Sequence, residues 1–336
     1  MQKVVMRKRT TAILAALSLL ALALGVSACG SSSSAKHLTL VAYSTPQGAY
    51  SALIPAFQAT PDGKDISFSQ SYGPSGDQAR SVIAGLKADV VDFSLEPDMT
   101  KLVKAGLVAP SWNQNATHGF VTNSVAVIIV RKGNPKHITG WDDLVKPGVQ
   151  VLTPNPFTSG SARWNVMAAY GAQLKEGKSP AQAQAYLKAL FHNVVSQDSS
   201  ARNALRTFSA GRGDALIDYE NEAISDQKKG TAIDFVIPKD TILIQNPIAV
   251  LKKSNAGPAQ KFVDYLLSDA GQKLWAANGY RPVRPELVDA KQFPAPADLF
   301  TIDSLGGWST VTKQFFDPDN GIVTKIEQSL GVSTSK

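Results

Sequence analysis

Two long apolar runs, residues 124–131 (SVAVIIVR) and 242–250 (ILIQNPIAV), divide this chain. Their β-branched residues suit a buried, pleated surface better than a helix. Between them lie about 110 residues in which short apolar runs alternate with helical patterns, and the same alternation fills the chain ahead of residue 124. Such alternation builds a mainly parallel sheet flanked by helices. A chain that crosses out along one long strand and returns along another makes two lobes. The expected α/β architecture therefore has lobe 1 from residues 37–125 and 243–336 and lobe 2 from residues 126–242. No internal repeat is present.

Residues 1–28 stand outside both lobes. Lys3, Arg7, Lys8 and Arg9 form a basic region ahead of an almost wholly apolar stretch, 11–26. That is the pattern of a secretory signal peptide. It ends Val26-Ser27-Ala28-Cys29-Gly30, which resembles a bacterial lipobox, and Cys29 is the only cysteine of the chain. A lone cysteine in an exported protein calls for an explanation, and lipidation supplies one. Residues 29–36 then read as a flexible tether rich in serine. The expected location is the outer face of the cell membrane, with the membrane touched only through the lipid anchor.

The signal carries four of the 34 basic residues and none of the 27 acidic ones, so the folded part is less basic than the whole-chain charge of +7. Outside it only pairs such as Lys228-Lys229 occur, which leaves no footprint for nucleic acid. With one cysteine no internal disulfide can form, and stability must come from core burial.

Three turns between a strand and a helix share one character. Residues 153–164 read TPNPFTSGSARW, with Thr158 to Ala162 passing from strand to helix; Gly73 to Gln78 and Asp198 to Arg202 are the other two. Small residues there leave backbone N–H groups uncovered, and the first turn of a helix has N–H groups without internal partners plus the positive end of the macrodipole. Any one of these turns reads as self-capping: Ser159 or Ser161 can cap its own helix, and Ser75 with Gln78 has capping-box spacing. Ligands of open α/β sheets, however, sit beyond the carboxyl ends of the strands, where all three turns lie. Converging, they would offer one small anion several helix N-termini.

Enzyme readings find less support. Gly73-Pro74-Ser75-Gly76 falls one residue short of a nucleophile elbow. His37, His118, His137 and His192 are scattered without metal-ligand spacing, and no phosphate loop is present. Tyr219, beside Glu220 and Glu222, reads as a packed residue or a single hydrogen-bond donor. The chain is expected to be no enzyme and to need no cofactor and no metal.

Asn155-Pro156 with Ser159-Gly160-Ser161-Ala162-Arg163-Trp164-Asn165 resembles the NPK(S/T)SGGARWN signature of the sulfate- and thiosulfate-binding proteins of ABC importers. Further matches include Arg131-Lys132-Gly133-Asn134-Pro135, Glu220-Asn221-Glu222-Ala223, and Leu299-Phe300-Thr301-Ile302-Asp303 with Gly306-Gly307-Trp308. The resemblance runs from about Leu38 to Trp308. It implies a two-lobed, periplasmic-binding-protein-like fold of type II with two crossover segments, a monomer that closes over one sulfate dianion and delivers it to the permease subunits of an importer. Carried over position by position, the family's donors would be Ser44, Ser75, Ser159, Gly160, Ser161, Ala201 and Tyr219. This chain departs from the pattern at Ser44-Thr45, where the family has Asp-Pro, at Tyr72 for a histidine, at Pro74 and Ser161 for glycines, and at Tyr219 for a tryptophan. Those departures leave sulfate against thiosulfate open.

Sulfate carries no proton at neutral pH, so a site built only of donors satisfies it, whereas phosphate also needs an acceptor. Asp77, Asp198 and Glu220 lie close in sequence to the proposed donors and read as acids favoured at helix starts. Arg163 is expected to brace its loop. The alternatives are another tetrahedral oxyanion, molybdate, tungstate or phosphate, and an exported serine hydrolase using Ser75 or Ser159.

Overall fold

The computed structural model describes residues 36–332 and 334. The expected signal peptide, Cys29 and nearly all of the tether lie outside the described residues, while Lys36, placed in the tether from sequence, opens the first strand. The chain begins β1 (Lys36–Tyr43), α1 (Gln47–Gln58), β2 (Ile66–Gly73), α2 (Ser75–Ile83), β3 (Val90–Asp92), α3 (Glu96–Lys104) and β4 (Phe120–Arg131). It continues with β5 (Val151–Leu152), α4 (Gly160–Lys175), α5 (Pro180–His192), β6 (Val194–Ser196), α6 (Ala201–Ser209), β7 (Ala215–Tyr219), α7 (Glu220–Lys228) and β8 (Ile233–Val236). The last part holds β9 (Asp240–Val250), α8 (Ala256–Leu267), α9 (Asp269–Ala277), β10 (Arg281–Pro282), β11 (Asp298–Phe300), α10 (Gly307–Phe316) and α11 (Ile322–Ser329).

The main strand order is β2-β1-β3-β9-β4-β7-β5-β6. β1, β2 and β3 are parallel, and so are β5, β6 and β7. β9 and β4 run antiparallel to each other and to these neighbours. The sheet is therefore mixed: two parallel groups joined by the two long apolar strands.

β4 changes partner along its length. From Phe120 to Val125 it pairs with β9, and from Ala126 to Val130 with β7. β9 does the same, pairing with β11 over Asp240 to Ile242, with β4 over Leu243 to Pro247, and with β3 over Ile248 to Val250. Both runs are long because each serves more than one group of strands, and each is buried almost throughout.

α4 anchors the loop that leads into it. It is buried from Gly160 through Gln173, on every side, as a helix embedded in a core must be. At Gly171 a Cβ would lie 2.3 Å from the ring of Phe300, so only glycine allows β11 to close over the helix. Trp164 meets Trp308 edge to face at 4.6 Å between centroids. A helix so enclosed cannot slide along its axis without opening cavities, each costing about 24 cal/mol per Å3.

α10 and α11 pack with α4 and α5: Trp308, Val311, Phe315, Val323 and Ile326 share one core cluster with Trp164, Tyr170 and Leu187. The C-terminal segment thus packs on the helices that follow β5. Local capping is mixed. The Ser179–Gln182 box forms as its spacing predicts. At residues 139–141 Gly140 is the N-cap, and the Thr139 N–H and hydroxyl donate to the Asp143 carboxylate at 2.6 and 2.9 Å.

Candidate functional site

The turns singled out from sequence lie at the carboxyl ends of β1, β2, β5, β6 and β7, and hydrogen bonds tie them together. Gly76 N–H donates to Thr158 O at 3.3 Å, joining the turn before α2 to the loop before α4. Asn155 N–H donates to Asp198 O at 2.8 Å and the Thr158 hydroxyl to Ser199 O at 2.9 Å, joining that loop to the turn before α6. Arg202, next to Ala201, donates to Thr45 O at 2.6 Å and brings in the turn after β1 that holds Ser44.

One residue missed by the sequence reading sits at the centre. Ser94, just past β3, donates its N–H to the Ser75 hydroxyl at 3.1 Å. Its carbonyl accepts from the Trp164 indole at 2.8 Å and from the Asn246 amide at 3.1 Å. Its hydroxyl lies 2.8 Å from that of Tyr219. A signal was available, since Ser94 lies between a strand and the Glu96-Pro97 helix start and so makes a fourth turn of the same kind.

Among the described residues, the backbone N–H groups of Ser44, Ser75, Gly160, Ser161 and Ala201 have no hydrogen-bond partner. Four of the five open a helix, where such groups are orphaned by geometry. Ser75, Ser159, Gly160, Ser161, Ala201 and Tyr219 are all buried, and Ser44 partly so. Buried N–H groups without partners are costly, and a bound anion would satisfy them.

The two remaining serine assignments separate cleanly. Ser75 does not form a capping box: its hydroxyl donates to Asp98 at 2.7 Å, Gln78 turns to Ser71 at 3.0 Å, and Pro74 is the N-cap. Only the N–H of Ser75 is free. Ser159 is the N-cap of α4 yet makes no side-chain cap. Its N–H donates to Asn155 O at 2.9 Å, so its free donor is the hydroxyl. The self-capping reading thus fails at Ser159, while Ser200 does cap α6, accepting from Asn203 N–H at 3.3 Å.

Tyr219 ends β7 and caps α7. Burial raises its hydroxyl pKa, opposed by hydrogen bonds with the Ser94, Ser161 and Asn246 side chains, so the phenol stays protonated. The carboxylates flagged from sequence all have protein partners. Asp77 pairs with Arg80, Asp198 accepts from the Thr207 hydroxyl at 2.9 Å, and Glu220 takes both Arg281 donors at 2.6 and 2.9 Å. Arg163 braces the loop as expected, its Nε donating to Pro156 O at 2.9 Å.

Three further acids, Asp92, Asp218 and Glu222, are buried. Asp218 and Glu222 are pushed up by burial, with Arg202 opposing, and the Arg202–Glu222 contact is 2.9 Å. Asp92, which accepts from the Tyr50 hydroxyl at 2.8 Å, is raised by burial to about 8. Among the described residues no group of His, Cys, Asp and Glu is arranged to hold a metal ion.

Known proteins match this chain over most of its length. Residues 38–281 fit the family described as bacterial extracellular solute-binding protein. A sulfate-binding protein of Synechococcus elongatus is 40% identical over 316 residues, covering 90% of each chain. This chain belongs to the sulfate- and thiosulfate-binding family of extracellular solute-binding proteins. A thiosulfate-binding protein of Pseudomonas aeruginosa is 36% identical, covering 91% of this chain and 96% of its own. The solved structure of the sulfate-binding protein SubI from Mycobacterium tuberculosis superposes with a TM-score of 0.82 at 44% identity, covering 84% of this chain and all of that one. The fold is accordingly the two-lobed, periplasmic-binding-protein-like type II fold that the sequence resemblance implied. No described helix is long and apolar enough to cross a membrane.

Proposed function

We propose that this protein captures sulfate outside the cytoplasm and delivers it to the permease of an ABC importer. One observation supports the reading: five backbone N–H groups without partners sit on turns that hydrogen bonds tie together, while Asp77, Asp98, Asp198 and Glu220 are each engaged by donors of the protein. Such a site is rich in donors and suits a fully deprotonated dianion. Each charge-assisted bond contributes about 1.5–3 kcal/mol. Ser44, Ser75, Gly160, Ser161 and Ala201 act through N–H groups, and Ser159 and Tyr219 through hydroxyls. No bond-making step is involved, so the protein is a carrier and not an enzyme.

The lobes divide where the long strands change partner, at Val125/Ala126 of β4 and Ile242/Leu243 of β9. We place residues 37–125 with the return from 243 in one lobe and residues 126–242 in the other, with α10 and α11 moving with the second. The protein works as a monomer, tethered through a lipidated Cys29 that follows the signal peptide.

Titration calorimetry with sulfate, thiosulfate, phosphate and molybdate tests the ligand. Tight binding of sulfate with none of phosphate is expected. Tight phosphate binding without sulfate binding would overturn the assignment.

A further inference from the structure

A groove of about 480 Å3 opens between α3 and α10, with Arg163 of α4 in its wall. Its two sides belong to different cores. Met99 and Leu102 anchor α3 to the cluster under β1 and β3, whereas Trp308, Val311 and Phe315 anchor α10 to the cluster around α4. The volume falls within the roughly 300–1,000 Å3 of small-molecule sites.

The groove joins an aromatic wall to unpaired positive charge. Trp308 and Phe316 line it, and the Arg163 guanidinium stands 4.8 Å from the Phe316 ring centroid. Arg163 is 8% exposed, and apart from Nε its guanidinium has no hydrogen-bond partner among the described residues. Burial lowers its pKa, opposed by the Asp98 charge and reinforced by that of Arg80. Asp98 is itself taken up by Lys101 at 2.8 Å and by Ser75. Lys104 and Lys313 line the groove, are exposed, and form no ion pair among the described residues. Of the two acids present, Asp317 accepts the N–H groups of Asp319 and Asn320 at 3.1 and 2.8 Å, and Glu96 is half-buried.

We propose that this groove is a second ligand site, which takes an aromatic monoanion such as an arylsulfonate or arylcarboxylate. The anionic head sits on the Arg163 guanidinium with Lys104 and Lys313 at the rim, and the ring lies against Trp308 and Phe316. A guanidinium matches the fork of a sulfonate or carboxylate and also packs on aromatic faces, so one side chain serves both halves of such a ligand. None of the residues lining the groove is one of the N–H or hydroxyl donors assigned to the first site.

Calorimetry with benzenesulfonate on the purified protein, first alone and then saturated with sulfate, tests this. One equivalent should bind saturably in both conditions. Methanesulfonate, lacking the ring, should bind about tenfold more weakly. The surface variant K104E/K313E should weaken benzenesulfonate about tenfold while sulfate affinity stays within about twofold, which also shows that it is folded. Absence of saturable binding up to about 10 mM, simple competition with sulfate, or indifference to K104E/K313E would each overturn the proposal.

Discussion

The hydroxyls of Ser94 and Tyr219 lie 2.8 Å apart, one past the end of β3 and the other at the end of β7. They meet from the two parallel strand groups, which are otherwise separated by β9 and β4. The contact links the two strand groups through one side-chain pair.

Tyr219→Phe removes that donor and keeps the ring's packing. Losing one charge-assisted hydrogen bond costs about 1.5–3 kcal/mol, or about 10- to 150-fold in sulfate affinity. Calorimetry reads this directly, and an affinity within about twofold of wild type would show that the phenol does not donate to the anion.

Ser159→Ala and Ser75→Ala should behave differently. Ser159 offers its hydroxyl, because its N–H is bound to Asn155 O at 2.9 Å, so the alanine weakens sulfate binding by about tenfold or more. The Ser75 hydroxyl is committed to Asp98 at 2.7 Å and to Ser94 N–H at 3.1 Å. Ser75→Ala therefore lowers stability by about 1–3 kcal/mol, read as a drop in Tm, with the smaller effect on affinity.

Gly160→Ala tests the close seating of α4. A Cβ there would lie 1.9 Å from Leu95 Cδ2 and 2.7 Å from Ser94 Oγ, so the helix start must retreat from Ser94. Overpacking of this kind costs about 1–3 kcal/mol in stability. Because Gly160 and Ser161 carry two of the free N–H groups, sulfate affinity should fall by at least about tenfold in the folded variant, measured below its melting transition.

Asp92 makes stability depend on pH. Burial raises it from an ordinary 3.8 to about 8 in the folded protein. Between those values the folded state holds a proton that the unfolded chain has released, so its contribution is full at low pH and is lost as pH rises toward about 8. The slope is at most about 1.4 kcal/mol per pH unit. Urea unfolding at about pH 5.5 and pH 8 should show it, with Asp92→Asn flattening the difference. An unchanged slope in the variant would mean that folded Asp92 is already ionised.

Cys29→Ser should leave sulfate binding intact and move the protein from the membrane fraction to the medium or soluble envelope fraction. Fractionation of cells expressing each form is the check. Retention of Cys29→Ser on the membrane would point to an anchor other than a lipid on this residue.

Much of the fold was legible from residue pattern. Alternating strand and helix signals place nearly every element, since burial on both faces demands continuous apolar strands and one-sided helices. The capping box at Ser179 and Gln182 forms because nothing competes for those side chains. At Ser75 the same spacing misleads, because Asp98, far along the chain, is a stronger acceptor for the hydroxyl. Ser94 escaped notice for a related reason: all three of its polar groups are used by residues distant in sequence, Ser75, Trp164, Asn246 and Tyr219.

By itself the sequence determined which backbone segments could end as exposed helix starts, because proline, glycine and small hydroxyl residues set local geometry within a few positions. It also carried the family signature around Trp164. Only the tertiary structure decided which donors remain free. Whether Ser159 offers its N–H or its hydroxyl, and whether Ser75 offers either, depends on which partner reaches it first across the fold. That competition among hydrogen-bonding groups is settled by three-dimensional packing, to which the order of residues along the chain is blind.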